Sequence, residues 1–394
     1  MSRFLILSWD GGGNTPAAYN LGAWLAGRGH PVRMMGWAAM ARPAADAGVE
    51  FTTYPSVPPW PAELRHEDGW ARIEVALFGA ATEQDIITEA RAYAADVLVV
   101  DCMLTAGYAA ARRLHLPVVS LVHPLYQPFV HQWGSSVLGV DVAAILQQSD
   151  RVLALQPPGF DSPGLLPDNT TYVGAIRRPG KTKQLDPHLV GRLAEPGHPW
   201  VLLSLSTTLH GQRDTLPWFL DALGTTPVRV MLTLGGVLTP ESVDAPANVT
   251  VCGHVPHEAV LPHVAAVITH AGMTTVATTL AAGIPMVCVP QGRDQPLNAQ
   301  RVADVGAGLQ IAPDAPAKEL STTLDTVMSN ARYRTAAQNF AAATAALGNG
   351  RHAADLAEHP SPSDHKRNGL AEGPVLRPHQ ERRVRERRRG PGRN

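Results

Sequence analysis

The chain has 394 residues, of which 45% are hydrophobic, 17% are charged and 6% are aromatic. This length exceeds one ordinary domain core and predicts two globular domains. The composition excludes collagen, a coiled coil and wholesale disorder. Residues 359–394 contain ten Lys or Arg and four Asp or Glu, so this segment carries +6 and the remaining chain −7. An acidic body argues against a nucleic-acid partner.

Targeting and metal signals are absent from the sequence. No apolar run approaches the roughly 20 residues of a membrane helix, and the start lacks the features of a secretory signal. The cysteines, Cys102, Cys252 and Cys288, lie far apart. They predict no disulfide framework, and a cytoplasmic location is expected. No H-E-x-x-H motif or Cys/His cluster occurs along the chain, so no metal site is predicted.

In the first half, apolar runs alternate with helical segments. Residues 3–8 read as a strand, Gly11–Gly13 as a turn, and Thr15 as the N-cap of a helix that begins at Pro16. A helix is predicted at 104–114, and further strands are predicted at 32–36, 97–100, 118–122 and 172–174. Strands separated by helices of this length predict parallel β-α-β units.

The pattern restarts after a segment rich in Pro, Gly and charge. Strands are predicted at 200–206, 228–233, 264–269 and 286–289. The fold class is therefore α/β, with two tandem Rossmann-like, doubly wound parallel-sheet domains. The predicted boundaries are 1–176 for the first domain, 177–199 for the linker, 200–345 for the second domain, 346–358 for a final helix and 359–394 for a disordered basic tail.

A glycine turn after the first strand also suggests a nicotinamide site. Gly11–Gly13 does not match G-x-G-x-x-G, however, and the acidic residue expected at the end of the second strand is absent. The dinucleotide interpretation is therefore disfavoured.

Residues 265–307 carry the most informative pattern. Two loops, after strands 264–269 and 286–289, follow neighbouring parallel strands, where doubly wound sheets bind ligands. In the first loop, His270 and Gly272 precede a helix that Thr274 and Thr275 open. Helix N-termini bind anions, and this set suits a diphosphate. In the second loop, Asp294 and Gln295 suit sugar hydroxyls. Each residue alone is more often structural, but the ordered set points to a ligand.

This segment resembles the donor-binding signature of the family-1 glycosyltransferases, which use nucleotide sugars and have the GT-B fold. The signature runs H-G-G-x-x-[ST]-x-x-E-A-L, then G-[VI]-P, then P-x-x-x-D-Q. The matching residues are His270, Gly272, Thr275, Leu280, Gly283, Pro285, Pro290, Asp294 and Gln295. Thr278 stands where the family often has a Glu for the ribose.

The resemblance implies an inverting hexosyl transfer in a cleft between the two domains. The donor would be a uridine or thymidine diphosphate sugar, with no cofactor and no metal. Val255 lies in a turn similar to the one that meets the nucleobase, and Ser206 and Thr207 lie in a loop similar to the one opposite the phosphates. The final helix would cross back to the first domain.

The first domain would bind the acceptor, but it departs from the family pattern. Gly13 stands where the family has the histidine that removes the acceptor's proton. A general base contributes roughly 10²–10⁴ in rate, so another residue is expected. Asp101 is the first candidate, His123 the second and Asp10 the third. As structural alternatives, Asp10 would cap the glycine turn, Asp101 would cap the helix that starts near Leu104, and His123, before Pro124, would have a structural role only.

The acceptor is expected to be an apolar natural product, a polyketide or macrolide-like aglycone, with O- or C-glycosylation left open. Its contacts are expected from Gly12, Gly13, Asn14, Trp60, Trp70 and Tyr126. Two other classes remain: a catalytically degenerate homologue that binds a nucleotide sugar as a partner protein, and a nucleotide-sugar epimerase. A homodimer is an open alternative for the assembly.

Overall fold

The structure is a computed structural model that describes residues 1–57, 77–180, 184–205, 212–235, 238–253 and 255–360. Two parallel sheets form its framework. The strands of the first sheet are β1 (Phe4–Leu7), β2 (Val32–Gly36), β3 (Glu50–Thr53), β4 (Val97–Asp101), β5 (Val118–Val122), β6 (Arg151–Ala154) and β7 (Thr170–Tyr172). Their order across the sheet is β3-β2-β1-β4-β5-β6-β7, and each neighbouring pair is parallel.

Helices connect these strands. They are α1 (Thr15–Gly27), α2 (Ala41–Asp46), α3 (Ala80–Tyr93), α4 (Thr105–Leu114), α5 (Tyr126–Pro128), α6 (Gly134–Leu138) and α7 (Val142–Gln147). A π-helical turn, Phe129–Trp133, joins α5 to α6, and a 3₁₀ turn, Ala38–Met40, precedes α2.

The second sheet is also parallel. Its strands are β8 (Trp200–Ser204), β9 (Arg229–Thr233), β10 (Val249–Cys252), β11 (Ala266–Thr269), β12 (Met286–Cys288) and β13 (Gly308–Gln310). The order is β10-β9-β8-β11-β12-β13.

The helices of the second half follow the same alternation. They are α8 (Pro187–Ala194), α9 (Gln212–Gly224), α10 (His257–Val260), α11 (Met273–Ala281), α12 (Gln295–Asp304), α13 (Ala317–Ser329), α14 (Ala331–Ala346) and α15 (Arg351–Glu358). Short 3₁₀ turns occur at Pro240–Ser242, Leu261–His263 and Gly348–Gly350. None of the helices in the described ranges combines the length and apolar character needed to cross a bilayer.

Burial explains why the central strands form. Every residue of β1, β4, β5 and β8 is buried, as expected where helices cover both faces of a parallel sheet. The predicted fold of two parallel-sheet α/β domains is confirmed.

Two local predictions need correction. The first helix begins at Thr15, and Asn14 rather than Thr15 occupies the N-cap position. The segment predicted as a linker, 177–199, contains α8, whose first turn is capped by the carboxylate of Asp186 accepting from the His188 amide. The Pro and charge content that suggested a linker thus includes a helix start.

The final helix lies against the first domain. Helix α14 contacts α11 of the second domain, whereas α15 contacts α1 and β6. Arg28, just after α1, forms ion pairs of 2.8 Å with both Asp355 and Glu358, and Ala353, Ala354 and Ala357 are buried on the inner side. The chain therefore returns to the first sheet after completing the second.

Candidate functional site

The carboxyl ends of three neighbouring strands form one edge of the second sheet. Thr269, which ends β11, is paired with Ser204 at the end of β8 and with Cys288 at the end of β12. The loops that follow these strands therefore lie side by side, at the edge where doubly wound sheets bind ligands.

Helix α11 starts at the central loop of this edge. Gly272 is its N-cap, and the first hydrogen bond along the helix runs from the Val276 amide to the Gly272 carbonyl over 3.0 Å. The amides of Met273, Thr274 and Thr275 lie before that bond and have no partner within the helix. These amides and the positive end of the helix dipole form a geometry suited to an anion.

His270 and Gly272 fit against each other at this helix start. A Cβ atom added to Gly272 would lie 2.5 Å from Nε2 of His270, so a side chain at this position would have to displace the imidazole ring. The other ring nitrogen, Nδ1, lies 3.5 Å from the carbonyl oxygen of Ser204. Burial lowers the pKa of His270, against smaller opposing effects of that carbonyl and of Asp294. The ring is therefore neutral at neutral pH.

One buried side chain links the two ligand-facing loops. The amide nitrogen of Asn298, on α12, donates to the carbonyl of Ala271 over 3.0 Å and to Oδ2 of Asp294 over 2.9 Å. Asn298 has no solvent exposure. It was not predicted from the sequence, although its spacing of four residues from Asp294 on a helix is the signal that could have identified it.

The second loop is held by its own side chains. Gln295 is buried, and its Oε1 accepts a hydrogen bond of 2.7 Å from the Gln291 amide. Arg293 adopts a left-handed backbone with φ of 56°, a conformation uncommon for a residue with a side chain. The predicted sugar-binding pair, Asp294 and Gln295, thus lies on a shaped turn at the start of α12.

The remaining predicted donor residues have different surroundings. Thr275 is half-buried in the first turn of α11. Thr274 donates its hydroxyl hydrogen to the carbonyl of Gly13 in the first domain. The side chain of Val255 is buried in the core of the second domain. Ser206 and Thr207 lie outside the described residues.

In the first domain, Asp101 is the centre of a buried hydrogen-bond network. Its Oδ1 accepts from Nε1 of Trp9 over 3.1 Å and from the Met103 amide over 3.0 Å, and its Oδ2 accepts from Nδ2 of Asn14 over 2.8 Å. Asn14 also donates to the Trp9 carbonyl and accepts from the Gly11 amide. The predicted contact of Asn14 with an acceptor therefore needs correction, because its amide is buried and engaged within the protein.

His123 and Cys102 lie next to this carboxylate. Nε2 of His123 is 3.5 Å from Oδ1 of Asp101. Burial alone would raise the pKa of Asp101, but His123 and the hydrogen bonds from Asn14 and the Met103 amide lower it. Burial alone would lower the pKa of His123, but Cys102 and Asp101 together raise it well above its usual value. Burial raises the pKa of the Cys102 thiol. Nε2 of His123 thus lies within ion-pair distance of the Asp101 carboxylate, and the Cys102 thiol lies beside both.

The glycine loop places the third base candidate elsewhere. Burial raises the pKa of Asp10, and a hydrogen bond from the Gly12 amide opposes the rise. Gly12 has φ of 86°, a backbone conformation that favours glycine. Asp10 thus contacts the backbone of the glycine turn, and its role as a base stays a prediction.

The predicted acceptor aromatics do not form a pocket in the described residues. Tyr126 is buried in the core of the first domain, and burial raises its pKa. Its ring consequently offers no open face, which corrects the expectation for this residue. Trp60 and Trp70 lie outside the described residues. Beyond Tyr126, the same segment carries the half-buried Trp133 and the exposed Val137.

Comparison with known proteins agrees with this geometry. Residues 217–355 match the family described as "Erythromycin biosynthesis protein CIII-like, C-terminal domain". A PGL/p-HBAD biosynthesis glycosyltransferase of Mycobacterium tuberculosis is 28% identical over 238 residues, which cover 57% of this chain and 54% of that protein. A 4'-demethylrebeccamycin synthase of Lentzea aerocolonigenes is 33% identical over 168 residues, which cover 42% of this chain and 39% of that protein. The chain thus matches about half the length of these curated relatives or less.

Solved structures cover nearly the whole chain. The calicheamicin glycosyltransferase CalG4 superposes with a TM-score of 0.73 at 21% identity, covering 94% of this chain and 100% of the other. The glycosyltransferase VinC, solved in complex with dTDP, gives a TM-score of 0.66 at 21% identity, covering 90% and 99%. At such identity the likeness establishes the fold, which is GT-B.

Proposed function

We propose that this chain transfers a hexose from a nucleoside-diphosphate sugar to an apolar natural product. Its GT-B fold, its EryCIII-like match over residues 217–355 and its similarity to natural-product glycosyltransferases support this proposal. The observation that carries the proposal is the start of α11. There His270 and Gly272 precede backbone amides that are free at the helix start, and Thr274 in the same turn contacts Gly13 of the first domain.

The diphosphate is the leaving group in this proposal. As the glycosidic bond to the diphosphate breaks, negative charge grows on the phosphate oxygens, and the amides of Met273, Thr274 and Thr275 lie where they can stabilise it. Hydrogen bonds to a charged group are worth about 1.5–3 kcal/mol each, more than the dipole's 0.3–1 kcal/mol. The preorganised donors therefore supply the larger share of the stabilisation. Neither a cofactor nor a metal has a role in this step.

His123 is the general base in this mechanism, and Asp101 orients it. Both carboxylate oxygens of Asp101 already accept hydrogen bonds, and its pKa is lowered. These features make it a poor proton acceptor. His123 keeps 20% of its side chain exposed, and because its Nε2 is buried against Asp101, Nδ1 is the nitrogen that takes the proton in this mechanism. Its raised pKa keeps the His123 ring protonated to a higher pH than an ordinary histidine. The neutral ring, which can accept a proton, therefore becomes more abundant as the pH rises.

The sugar and the stereochemistry follow from the same arrangement. Asp294 and Gln295 bind the hexose hydroxyls beside the diphosphate. The acceptor oxygen or carbon attacks from the first domain while the diphosphate leaves toward the second, so a single displacement inverts the anomeric carbon. The complex of VinC with dTDP supports a thymidine diphosphate donor, with uridine diphosphate as the alternative base.

The acceptor is an apolar aglycone. The segment after β5 presents Trp133 and Val137 in the same stretch of the first domain that follows His123. Similar proteins are named as a calicheamicin glycosyltransferase and a 4'-demethylrebeccamycin synthase, which supports a natural product as the acceptor. Free cysteines, Cys102 and Cys288 among them, are compatible with a reducing cytoplasm.

A product screen tests the proposal. The full chain is incubated with thymidine- and uridine-diphosphate hexoses against a panel of polyketide and macrolide aglycones, and products are identified by mass. A new product heavier by one dehydrated hexose supports transfer. Tight donor binding without product in a single-turnover experiment would instead identify a non-catalytic binding protein. An altered sugar after incubation with the donor alone would identify an epimerase.

A further inference from the structure

Three side chains of different chemistry meet where two neighbouring strands of the first sheet end. Asp101 is the last residue of β4, Cys102 follows it, and His123 follows β5. A carboxylate oxygen, the thiol sulfur and a ring nitrogen all lie within 4.8 Å of one another. We propose that Asp101, Cys102 and His123 form a binding site for a single zinc ion.

The spacing suits tetrahedral coordination. Zinc bonds to nitrogen and oxygen at about 2.0–2.2 Å and to sulfur at about 2.3 Å, so two tetrahedral ligands lie roughly 3.3–3.8 Å apart. The Nε2 atom of His123 and Oδ1 of Asp101 are 3.5 Å apart. The sulfur of Cys102 lies within 4.8 Å of both atoms and takes the third corner, and a water or other oxygen takes the fourth.

The protein already holds the carboxylate ligand in place. Trp9, Asn14 and the Met103 amide donate to Asp101. Hydrogen bonds of this kind orient the ligands of metal sites and contribute to their affinity. Because β4 and β5 are hydrogen-bonded neighbours, with Val100 opposite Ser120, the backbone that carries all three ligands is rigid.

The ligand set selects the ion. Sulfur and imidazole ligands favour zinc, whereas magnesium and calcium prefer oxygen ligands alone. Burial keeps the Cys102 thiol protonated, so binding forms a zinc–sulfur bond and releases the thiol proton to the buffer.

Zinc at this site inhibits glycosyl transfer. This consequence rests on the proposed function, because zinc bound to Nε2 of His123 would replace the contact with Asp101 that orients the proposed base. The binding itself needs neither donor nor acceptor, so its failure and the failure of the transferase proposal are separate results.

Cobalt(II) is the probe for binding, because thiolate-to-cobalt charge transfer gives an ultraviolet band and tetrahedral geometry gives strong visible absorption. The full chain should bind one Co²⁺ with both signals, and Zn²⁺ should displace it. Cys102→Ser should abolish the ultraviolet band and weaken zinc binding by at least about tenfold, a loss seen even for groups that only support a ligand. Cys252→Ser is the matched control and should bind as the unchanged protein does.

A second measurement keeps the proposal testable if Cys102→Ser fails to fold. X-ray absorption of the zinc-loaded unchanged protein should show one sulfur at about 2.3 Å and the remaining ligands as nitrogen or oxygen at about 2.0–2.2 Å. Absence of a sulfur ligand, or a cobalt thiolate band that persists in Cys102→Ser or disappears in Cys252→Ser, would overturn the proposal.

Discussion

The hydroxyl of Thr274, in the first turn of α11, donates a hydrogen bond to the carbonyl of Gly13 in the first domain. The two residues are 261 positions apart in the chain. A Cβ atom at position 13 would lie 3.0 Å from Oγ1 and 3.4 Å from Cβ of Thr274. Gly13 stands where the family that this chain resembles has a histidine. It is thus in direct contact with α11, the helix that we propose binds the diphosphate.

We expect Gly13→Val to lower kcat by about tenfold or more. The added side chain must displace Thr274, which holds the two domains together beside the leaving group, and overpacking of this kind typically costs about 1–3 kcal/mol. Turnover at saturating donor and acceptor measures the effect. Gly27→Ala is the matched control, since a Cβ there meets nothing within 4 Å.

A double-mutant cycle identifies the cause. Thr274→Ala removes the oxygen that lies nearest to a side chain at position 13. If the clash is responsible, Gly13→Val should cost less in the Thr274→Ala background than alone, with a coupling energy of about 0.5–3 kcal/mol. Equal losses in both backgrounds would assign the effect of Gly13→Val to the loop itself.

His270→Gln tests the phosphate site and its dependence on pH. With Nδ1 facing the Ser204 carbonyl, Nε2 can donate to a phosphate only when the ring is protonated. Burial lowers the pKa of the free ring, and a bound diphosphate raises it again. At a pH between the pKa of the free His270 ring and that of the ring beside bound diphosphate, binding of the nucleotide sugar takes up a proton. The dissociation constant of the nucleotide sugar should therefore rise with pH, by at most about tenfold per pH unit.

The intact nucleotide sugar, without acceptor, is the ligand for this measurement. Its diphosphate carries a substituent at each end and does not titrate near neutral pH, so any slope between about pH 6 and 9 belongs to the protein. In His270→Gln the slope should vanish, and turnover should fall by about 10²–10³, as for loss of one preorganised donor. An unchanged slope in this variant would place the proton uptake on another group.

Much of the fold follows from the sequence because central parallel strands are continuous apolar runs. The strands not predicted are β3, β6, β10 and β13, of which β3, β10 and β13 lie at sheet edges. Residues of β3 are half-buried or exposed, and those of β10 are half-buried. One face of an edge strand packs less completely, so its sequence lacks the unbroken apolar run that identifies β1 or β4.

The residues of the candidate site also divide into those that the sequence predicts and those that only the packing of the chain brings together. The loop with His270 and Gly272 could be predicted because its residues are contiguous. The contact between Gly13 and Thr274 depends on how two domains pack, and the meeting of Cys102 with His123 depends on the register between β4 and β5. No spacing along the chain encodes either of them, so Cys102 was missed as a functional residue.

His123→Gln and Asp101→Asn separate the proposed base from its orienting partner. His123→Gln should lower kcat by about 10²–10⁴, the contribution of a general base. Asp101→Asn keeps the shape of the side chain but removes the charge that raises the pKa of His123. It should therefore reduce kcat less than His123→Gln does, and it should leave the affinity for the nucleotide sugar unchanged. Rapid-quench single turnovers measure the chemical step.

The exposed His188 provides the control for this pair. His188→Gln should match the unchanged protein in rate and in unfolding. If neither His123→Gln nor Asp101→Asn slows the chemical step, the base lies elsewhere.

Asn298→Ala should damage both stability and donor binding. The substitution leaves the Ala271 carbonyl and one Asp294 oxygen without their shared donor, and loss of buried hydrogen bonds costs about 1–3 kcal/mol. Urea unfolding measures the stability, and KM for the donor measures the position of Asp294. Gln300→Ala, which removes an exposed bond of 2.7 Å to Asp304, should change both by much less.

Two carboxyl-terminal truncations test where the functional unit ends. Removal of residues 361–394 should leave transfer intact, because the ion pairs of Arg28 and the 3.1 Å contact of His30 with Glu358 are retained. Removal of residues 351–394 also deletes α15 and exposes the apolar surface of the first domain that covers Ala353 and Ala354. Burial of apolar area contributes roughly 25 cal/mol per Å². This longer deletion should therefore lower the free energy of unfolding by several kcal/mol. Thermal unfolding compares the stability of the two truncated chains, and equal midpoints would show that α15 contributes nothing to the stability of the first domain. The transfer assay is made on the chain that lacks residues 361–394. Loss of transfer there would give the basic segment a part in the reaction.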